Sequence, residues 1–239
     1  MSTRSERLSI AMADGEEMGV YVSRPSGNER HAGIIVFQEA LGVNEQIRRL
    51  TDRYAALGFV AIAPDLFHRV SPGYEAQALV MDNIMPLVKQ MTVEGFVADS
   101  KAAYSWITSA GGVEADKVAA VGFCMGGRAA FVANSELPLA AAISYYGGGL
   151  APAVLDRVPS MHGPHLFFWG GQDKGIPPEQ HRAVTDAYRA AGKKFVDVEF
   201  SECNHAFFNE DADRYNEPAA KQSWALGNAF LADALGIVL

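Results

Sequence analysis

Cysteine is scarce in this sequence. Among 239 residues only Cys124 and Cys203 occur, which excludes a small scaffold held together by several disulfides. The chain opens with Met-Ser-Thr-Arg and has no apolar signal core behind it, a pattern typical of a protein without a secretory leader. Because the thiols are few and no leader is apparent, we expect a reduced protein in the cytoplasm.

Long hydrophobic runs and a surplus of basic residues are also missing. No apolar stretch approaches the roughly 18 residues that a membrane span needs. The 20 Lys and Arg residues are outnumbered by 28 Asp and Glu, giving a net charge of −8, which argues against a general attraction to nucleic acid or to an anionic membrane. Hydrophobic residues make up 49% of the chain, enough for one large core. We therefore expect a single domain over residues 1–239, as a monomer or small homo-oligomer.

Short apolar runs alternate with helix-like segments along the chain. Leu8–Ile10 and Met18–Val22 flank Asp14–Gly15, a favoured turn pair, which predicts an antiparallel edge hairpin. The further expected strands are Ala32–Phe37, Phe59–Ala63, Lys117–Val121, Leu139–Tyr145, Leu166–Trp169 and Phe195–Phe200, and the expected helices are Glu45–Leu57, Glu94–Ser109, Arg128–Ala133, Pro178–Ala191 and Pro218–Leu235. Between them, Glu75–Lys89 has mixed helical periodicity interrupted by Pro86. This alternation predicts an α/β fold with a mostly parallel central sheet and helices on both faces.

One cysteine stands at a turn between a predicted strand and a predicted helix. Residues 118–128 read Val-Ala-Ala-Val-Gly-Phe-Cys-Met-Gly-Gly-Arg, so Cys124 lies in the Gly-x-nucleophile-x-Gly pattern of the α/β-hydrolase nucleophile elbow. Glycines permit the sharp turn, and the N-terminus of the following helix favours a thiolate. The alternative is a small apolar cysteine in a glycine-rich turn. The combination of strand, turn and helix favours a nucleophile.

Polar residues beyond the other apolar runs supply partners for this thiol. The working residues of a parallel sheet lie just past the carboxyl ends of its strands, and Glu39, Cys124, Asp173 and His205 occupy such positions. Cysteine, aspartate and histidine follow the chain order of the α/β-hydrolase triad. A thiol needs a base, and an imidazole needs a carboxylate that orients it. We therefore expect His205 to act as base and then as acid, with Asp173 as its partner, although a turn-forming aspartate is the alternative for Asp173.

The remaining histidines and the second cysteine fit a catalytic role less well. We expect solvent exposure for His31 and His181 and loop-like or strand-entry positions for His68, His162 and His165. Cys203 is expected to be structural because nothing around it resembles an elbow. Cys203 and His205 are close in sequence, but no further ligand cluster at a useful spacing accompanies them. We therefore expect no metal site.

The motifs together resemble those of the dienelactone hydrolase (carboxymethylenebutenolidase) family. The matching stretches are Gln38-Glu39, Ala63-Pro64-Asp65-Leu66, Gly122-Phe-Cys124-Met-Gly-Gly, Tyr145-Tyr146-Gly147, Gly171-Gln172-Asp173 and Asn204-His205-Ala-Phe. The resemblance spans nearly the whole chain. It implies an α/β-hydrolase fold, a triad of Cys124, Asp173 and His205, and a reaction that needs no cofactor. It also implies that Glu39 holds the resting thiol protonated until substrate displaces it, the alternative being a buried or loop carboxylate with a local partner.

Groups that would contact the substrate are less clearly marked. The elbow predicts that the backbone N–H of Met125 donates to the oxyanion, and the resemblance adds the backbone N–H of Ala40. Tyr145, Phe207 and Phe208 could line an apolar acyl or ring pocket, with core packing as an equally good alternative.

One feature of the family is missing. The dienelactone hydrolases that take the chlorocatechol-derived lactone hold its carboxylate with arginines, one of them shortly after the catalytic histidine. Here neither His205–Asp211 nor Glu75–Lys89 contains an arginine. Arg69 or Arg128 could substitute, but we expect each to be a surface charge or part of a structural ion pair.

The sequence therefore predicts a cysteine hydrolase that opens small lactones or esters through an acyl-thioenzyme. The elbow and the triad do not specify the leaving group, so a thioesterase or peptidase on the same scaffold remains open. A non-catalytic thiol-sensing or ligand-binding homologue also remains open, because a fold does not by itself fix a function.

Overall fold

A sheet of eight strands forms the centre of the protein in a computed structural model that describes residues 2–27, 31–76 and 80–239. Along the chain the strands are β1 (Thr3–Ala11), β2 (Glu17–Pro25), β3 (Gly33–Phe37), β4 (Val60–Pro64), β5 (Val118–Phe123), β6 (Ala141–Tyr145), β7 (His165–Gly170) and β8 (Phe195–Phe200). In space their order is β1-β2-β4-β3-β5-β6-β7-β8. Every residue of β3 to β7 is buried, as expected of strands covered on both faces.

The N-terminal hairpin is the antiparallel part of the sheet. β4, β3, β5, β6, β7 and β8 pair in parallel, whereas β2 runs antiparallel to both β1 and β4. The hairpin turns at Asp14 and Gly15, and Gly15 has a φ of +88°, a conformation that glycine adopts without strain. The prediction of a mostly parallel sheet with an N-terminal antiparallel edge hairpin is confirmed.

Helices cover both faces of this sheet, as predicted. In the described residues they are α1 (Glu45–Ala56), α2 (Met81–Val88), α3 (Val93–Ser109), α4 (Met125–Glu136), α5 (Pro178–Ala190) and α6 (Glu217–Leu235). Right-handed crossovers place α1 on one face and α3, α4 and α5 on the other, because the chain steps from β3 to β4 in one direction and from β4 towards β8 in the opposite one. α6 joins α1, since the rings of Tyr54 and Trp224 pack with centroids 4.8 Å apart. None of these helices is long and apolar enough to cross a membrane.

The start of α4 differs from the sequence prediction. The helix begins at Met125 rather than Arg128, and it includes Gly126 and Gly127. Glycine is a poor helix former, so the first turn of α4 could not be recognised as helical from the sequence. Here the two glycines lie where the helix touches neighbouring backbone, and that contact outweighs the low helix propensity.

The stretch Glu75–Lys89 is only partly described. α2 accounts for its second half and contains Pro86, so the proline does not end the helix there. Residues 77–79 lie outside the described part of the chain.

The expected exposure of His181 is wrong. Its ring is buried and stacks on Trp169 with centroids 4.4 Å apart, while its Nε2 bonds the carbonyl oxygen of Ile176 at 2.9 Å. His31 is half-buried. Burial of His181 follows from its position on the inner face of α5, which the surrounding polar sequence concealed.

The direction of strand succession reverses beside β3. The chain crosses from β3 to β4 on one side and later returns to β5 on the other, a topological switch that leaves a crevice at the carboxyl ends of the strands. Glu39 follows β3 and Cys124 follows β5, while Asp173 and His205 lie beyond β7 and β8. All four residues therefore belong to loops at the same edge of the sheet.

Candidate active site

Cys124 occupies a strained backbone turn between β5 and α4. Its φ and ψ are 54° and −118°, a region that residues with a Cβ rarely adopt and that costs about 1–3 kcal/mol. The backbone N–H of Cys124 bonds the carbonyl oxygen of Tyr145 at 3.0 Å, which ties the turn to the end of β6. The side chain is partly accessible at the N-terminus of α4.

The glycines around Cys124 are required by close contact between backbones. A Cβ on Gly122 would lie 1.8 Å from the carbonyl oxygen of Gly126, and a Cβ on Gly126 would lie 2.4 Å from the carbonyl oxygens of Phe37 and Gln38. Neither position has room for any side chain. The first turn of α4 is therefore pressed against the loop that follows β3, the loop that contains Glu39 and Ala40.

His205 lies beside both predicted triad partners. Its Nδ1 donates to Asp173 Oδ2 at 2.6 Å, and the ring is close enough to the Cys124 side chain for a hydrogen bond. The other carboxylate oxygen of Asp173 accepts the N–H of Gly175 at 2.9 Å. The structure thus brings together the three side chains that the sequence singled out, in the order thiol, imidazole, carboxylate.

The surroundings of His205 and Asp173 favour a charged imidazole next to an ionised carboxylate. Burial lowers the pKa of His205, but the charge of Cys124 and the hydrogen bonds to Asp173 and Cys124 outweigh it and raise the pKa to about 10. Burial of Asp173 favours its neutral form, yet the hydrogen bond and charge of His205 bring the pKa of that carboxyl below its ordinary value. Asp173 is therefore ionised and the imidazole is able to hold its proton at neutral pH.

Glu39 is buried in a pocket of neutral hydrogen-bond donors. Its Oε1 accepts the Tyr146 hydroxyl at 2.8 Å, and its Oε2 accepts the Asn209 amide at 2.6 Å. Burial raises the pKa of Glu39, although both hydrogen bonds and the nearby His205 act in the opposite direction. Sequence reasoning missed both donors. The available signal was that Asn209 lies in the stretch His205–Asp211, where the family resemblance led us to look for an arginine.

Tyr146 links Glu39 to the thiol and the imidazole. Its φ is 38°, a strained value for a tyrosine, and its N–H bonds the carbonyl oxygen of Phe168 at 2.7 Å. The ring centroid lies 5.0 Å from that of His205. Burial and the charges of Glu39 and Cys124 raise the pKa of Tyr146 well above its ordinary range, so this hydroxyl stays protonated and donates.

The two amides predicted to bind an oxyanion flank the elbow. Met125 is the first residue of α4, and Ala40 lies in the turn after β3. Within the described residues, neither backbone N–H donates a hydrogen bond. The contact of Gly126 with the carbonyl oxygens of Phe37 and Gln38 holds the two segments together, so both amides lie near Cys124.

The three aromatic residues considered for substrate contact are core residues. Tyr145, Phe207 and Phe208 are 1%, 0% and 2% exposed. The ring of Tyr145 stacks on Phe123 with centroids 4.8 Å apart, and Phe207 packs against Tyr146 with centroids 5.4 Å apart. Their rings are buried and offer no accessible surface to a ligand. The structure therefore favours the interpretation that these residues pack in the core.

The two arginines have different surroundings. Arg69 pairs with the buried Asp99 at 2.7 Å, so the expected structural ion pair is confirmed. For Arg128 the expectation is wrong. Its guanidinium is half-buried over the ring of Phe96, 5.1 Å from the centroid, and its Nε is buried with no hydrogen-bond partner among the described residues. Burial lowers the pKa of Arg128.

No group of three His, Cys, Asp or Glu side chains in the described residues is arranged to hold a metal ion, and this includes Cys203. Cys203 is a free, buried thiol, and burial with the charge of Glu202 raises its pKa to about 11. It therefore stays protonated and behaves as a small apolar residue.

Known sequences resemble this one over most of the chain. A model of the "Dienelactone hydrolase family" matches residues 18–235. A Salmonella typhimurium protein described as "Putative carboxymethylenebutenolidase" is 32% identical over 221 residues, which cover 89% of this chain and 81% of that protein. A Synechocystis protein with the same description is 29% identical over 217 residues, covering 85% and 87% of the two chains.

Solved structures share the fold. A Klebsiella pneumoniae protein described as "Putative Dienelactone Hydrolase" superposes with a TM-score of 0.89 at 29% identity, covering 97% of this chain and 99% of that one. A dienelactone hydrolase-like promiscuous phosphotriesterase from metagenomic libraries gives a TM-score of 0.84 at 22% identity, covering 98% and 99%, a likeness of fold alone. From its motifs, its sheet and the extent of these matches, the chain belongs to the dienelactone hydrolase family of α/β hydrolases.

Proposed function

We propose that the protein hydrolyses small esters or lactones through an acyl-thioenzyme formed on Cys124. The observation that carries this proposal is the position of His205, with Cys124 on one side and Asp173 Oδ2 at 2.6 Å on the other. A thiol, a base and an orienting carboxylate in hydrogen-bonding succession are the parts that nucleophilic acyl transfer needs.

Acylation begins when the thiol of Cys124 gives its proton to His205 and becomes a thiolate. The sulfur forms a bond to the carbonyl carbon, and the π electrons move onto the carbonyl oxygen. The N–H groups of Met125 and Ala40 then stabilise this oxyanion, because they have no competing acceptor among the described residues. As the carbonyl re-forms, the C–O bond to the alcohol breaks and His205 protonates the departing oxygen. In a lactone, that alcohol stays attached to the acyl chain.

Deacylation uses the same residues in reverse. His205 removes a proton from water as the water oxygen attacks the thioester carbon, and the C–S bond breaks to release the acid and the Cys124 thiolate. Asp173 keeps Nδ1 of the ring protonated through its hydrogen bond, so the other ring nitrogen faces the reaction in both steps.

Glu39 restrains the thiol in this proposal. Its carboxylate accepts a hydrogen bond from the hydroxyl of Tyr146, and the charge of Cys124 helps to raise the pKa of the same hydroxyl. A negative charge on Glu39 opposes a second negative charge on the nearby sulfur. Because Tyr146 and Asn209 occupy both carboxylate oxygens, this restraint acts across the tyrosine.

Arg128 supports a substrate that carries an anionic group. It follows Cys124 by one helical turn, and side chains on a helix lean towards its N-terminus, here the elbow. The guanidinium lies over Phe96 in the first turn of α3 and against Gly149 in the loop after β6. Both segments belong to the carboxyl edge of the sheet. A half-buried cation that has no carboxylate partner within residues 2–27, 31–76 and 80–239 is suited to bind a carboxylate of a ligand.

Replacing Cys124 with alanine should reduce kcat/KM for an activated aryl ester by about 10⁴-fold or more, because the covalent step is lost. Circular dichroism should show an intact fold. Cys203→Ala is the matched control and should keep activity within about threefold of wild type. Near-wild-type turnover by Cys124→Ala would refute the proposal.

The same substitution should lower the pKa of His205. In the wild type the ring keeps its proton until the pH rises through about 10, largely because of the negative charge of Cys124. Without that charge the imidazolium is less stable and loses its proton at lower pH. NMR titration of the ring carbons measures the change, and Cys203→Ala should leave the titration unaltered. An unchanged pKa in Cys124→Ala is the contradicting result.

Glu39→Gln should accelerate alkylation of the resting Cys124 by iodoacetamide about threefold or more, because the repulsion between carboxylate and thiolate is removed. Mass spectrometry of the modified peptide gives the rate. Glu210→Gln, in the loop that carries Asn209, is the matched control and should react at the wild-type rate. If Glu39→Gln also reacts at that rate, Glu39 does not restrain the thiol.

Arg128→Met should discriminate between charged and neutral substrates. For the 4-nitrophenyl monoester of glutaric acid we expect kcat/KM to fall about 10–100-fold, the loss of one charge-assisted interaction. For 4-nitrophenyl valerate, of equal acyl length, it should change by less than about threefold. Equal losses for both esters would mean that Arg128 supports the fold and does not recognise an anion.

A further inference from the structure

A chain of buried hydrogen bonds runs from α5 by way of side chains on β7 and β6 to α4, the helix that follows Cys124. The hydroxyl of Tyr188 lies 3.1 Å from Nδ1 of His165, and Nε2 of His165 lies 2.9 Å from the hydroxyl of Ser144. That hydroxyl lies 2.6 Å from the carbonyl oxygen of Gly127. Ser144 and His165 are fully buried, and the mechanism above uses neither side chain.

The direction of every bond in this chain is determined. The Gly127 carbonyl can only accept, so the single hydroxyl proton of Ser144 points to it. Ser144 must then accept from His165, which places the imidazole proton on Nε2 and leaves Nδ1 to accept from Tyr188. Burial lowers the pKa of His165 to about 3, so the ring is neutral and holds one tautomer. His165 therefore fixes the orientation of the Ser144 hydroxyl.

The chain ends at the nucleophile elbow. Ser144 is paired in register with Gly122 of β5, and the N–H of Gly127 bonds the carbonyl oxygen of Cys124 at 2.9 Å. A Cβ on Gly127 would lie 2.8 Å from the Cα of Gly147. The first turn of α4 thus contacts both Gly147, just beyond β6, and the hydroxyl of Ser144 within β6.

We infer that Ser144, oriented by His165, is a positioning residue that holds the first turn of α4 so that the Met125 N–H meets the oxyanion. The inference rests on the proposed function. Met125 and Gly127 belong to one rigid turn, and an oxyanion donor is effective only within about 2.7–3.1 Å of the oxygen. A small rotation of that turn would weaken this hydrogen bond without removing the thiol, its base or the substrate-binding surface.

The same helix provides a matched control for Ser144. The hydroxyl of Ser135 donates to the carbonyl oxygen of Val132 at 2.7 Å, near the opposite end of α4. Ser135→Ala therefore removes a buried hydroxyl-to-carbonyl bond from α4 without touching the elbow. Each of the two alanine variants removes one buried hydroxyl that donates to a carbonyl oxygen of α4, so together they separate a general loss of stability from a loss of position.

Ser144→Ala should lower kcat for an activated aryl ester about tenfold, with KM within about twofold of wild type. Alkylation of Cys124 by iodoacetamide forms no oxyanion, so its rate should also stay within about twofold. Ser135→Ala should leave all three quantities near wild type. The inference is overturned if the two variants have the same kcat, or if kcat and the alkylation rate of Ser144→Ala fall together.

Two variants of His165 test the inference independently, including the case in which Ser144→Ala does not fold. His165→Gln keeps an N–H donor for Ser144 and should retain kcat within about threefold, whereas His165→Leu should match the loss expected of Ser144→Ala. Equal kcat values for these two variants overturn the inference. A wild type without ester turnover, or an active Cys124→Ala, would instead refute the proposed function.

Discussion

Contact between bare backbones at the elbow is the constraint on which the site depends. Gly122 and Gly126 lie so close that a single Cβ would collide with a carbonyl oxygen at 1.8 Å. This contact forces Cys124 into its strained conformation and lets α4 begin directly at the end of β5. It also presses the helix against the loop after β3, which contains Glu39 and Ala40. One packing requirement therefore sets the positions of Cys124, of α4 and of this loop together.

Two buried carboxylates near the thiol have opposite electrostatic surroundings. Asp173 faces the imidazole of His205, whose charge and hydrogen bond lower its pKa. Glu39 bonds only neutral donors in the described residues, Tyr146 and Asn209, and burial raises its pKa. The pKa of the same chemical group is thus lowered in one place and raised in the other. The partners, more than the residue types, set this difference.

Features encoded by local sequence were predictable, and so was the grouping of Cys124, Asp173 and His205, whereas the side-chain partners of Glu39 were not. The strands, the hairpin and the elbow follow from apolar periodicity and turn chemistry, which are local. Tyr146 and Asn209 lie 107 and 170 positions from Glu39, and no sequence pattern connects them. The burial of Tyr145 depends on packing by several strands, so the sequence allowed both a pocket and a core position. The position of the Arg128 guanidinium over the ring of Phe96 could likewise be recognised only in three dimensions.

The site residues at the carboxyl edge of the sheet come from distant parts of the chain, and this has a consequence for the newly made polypeptide. Glu39, Cys124, Asp173 and His205 follow four different strands, and His205 comes after β8, the last strand to be synthesised. Until that strand docks beside β7, Cys124 and Asp173 lack the imidazole that lies between them in the folded protein. The group of thiol, imidazole and carboxylate is therefore withheld from incomplete chains and arises only with the finished sheet.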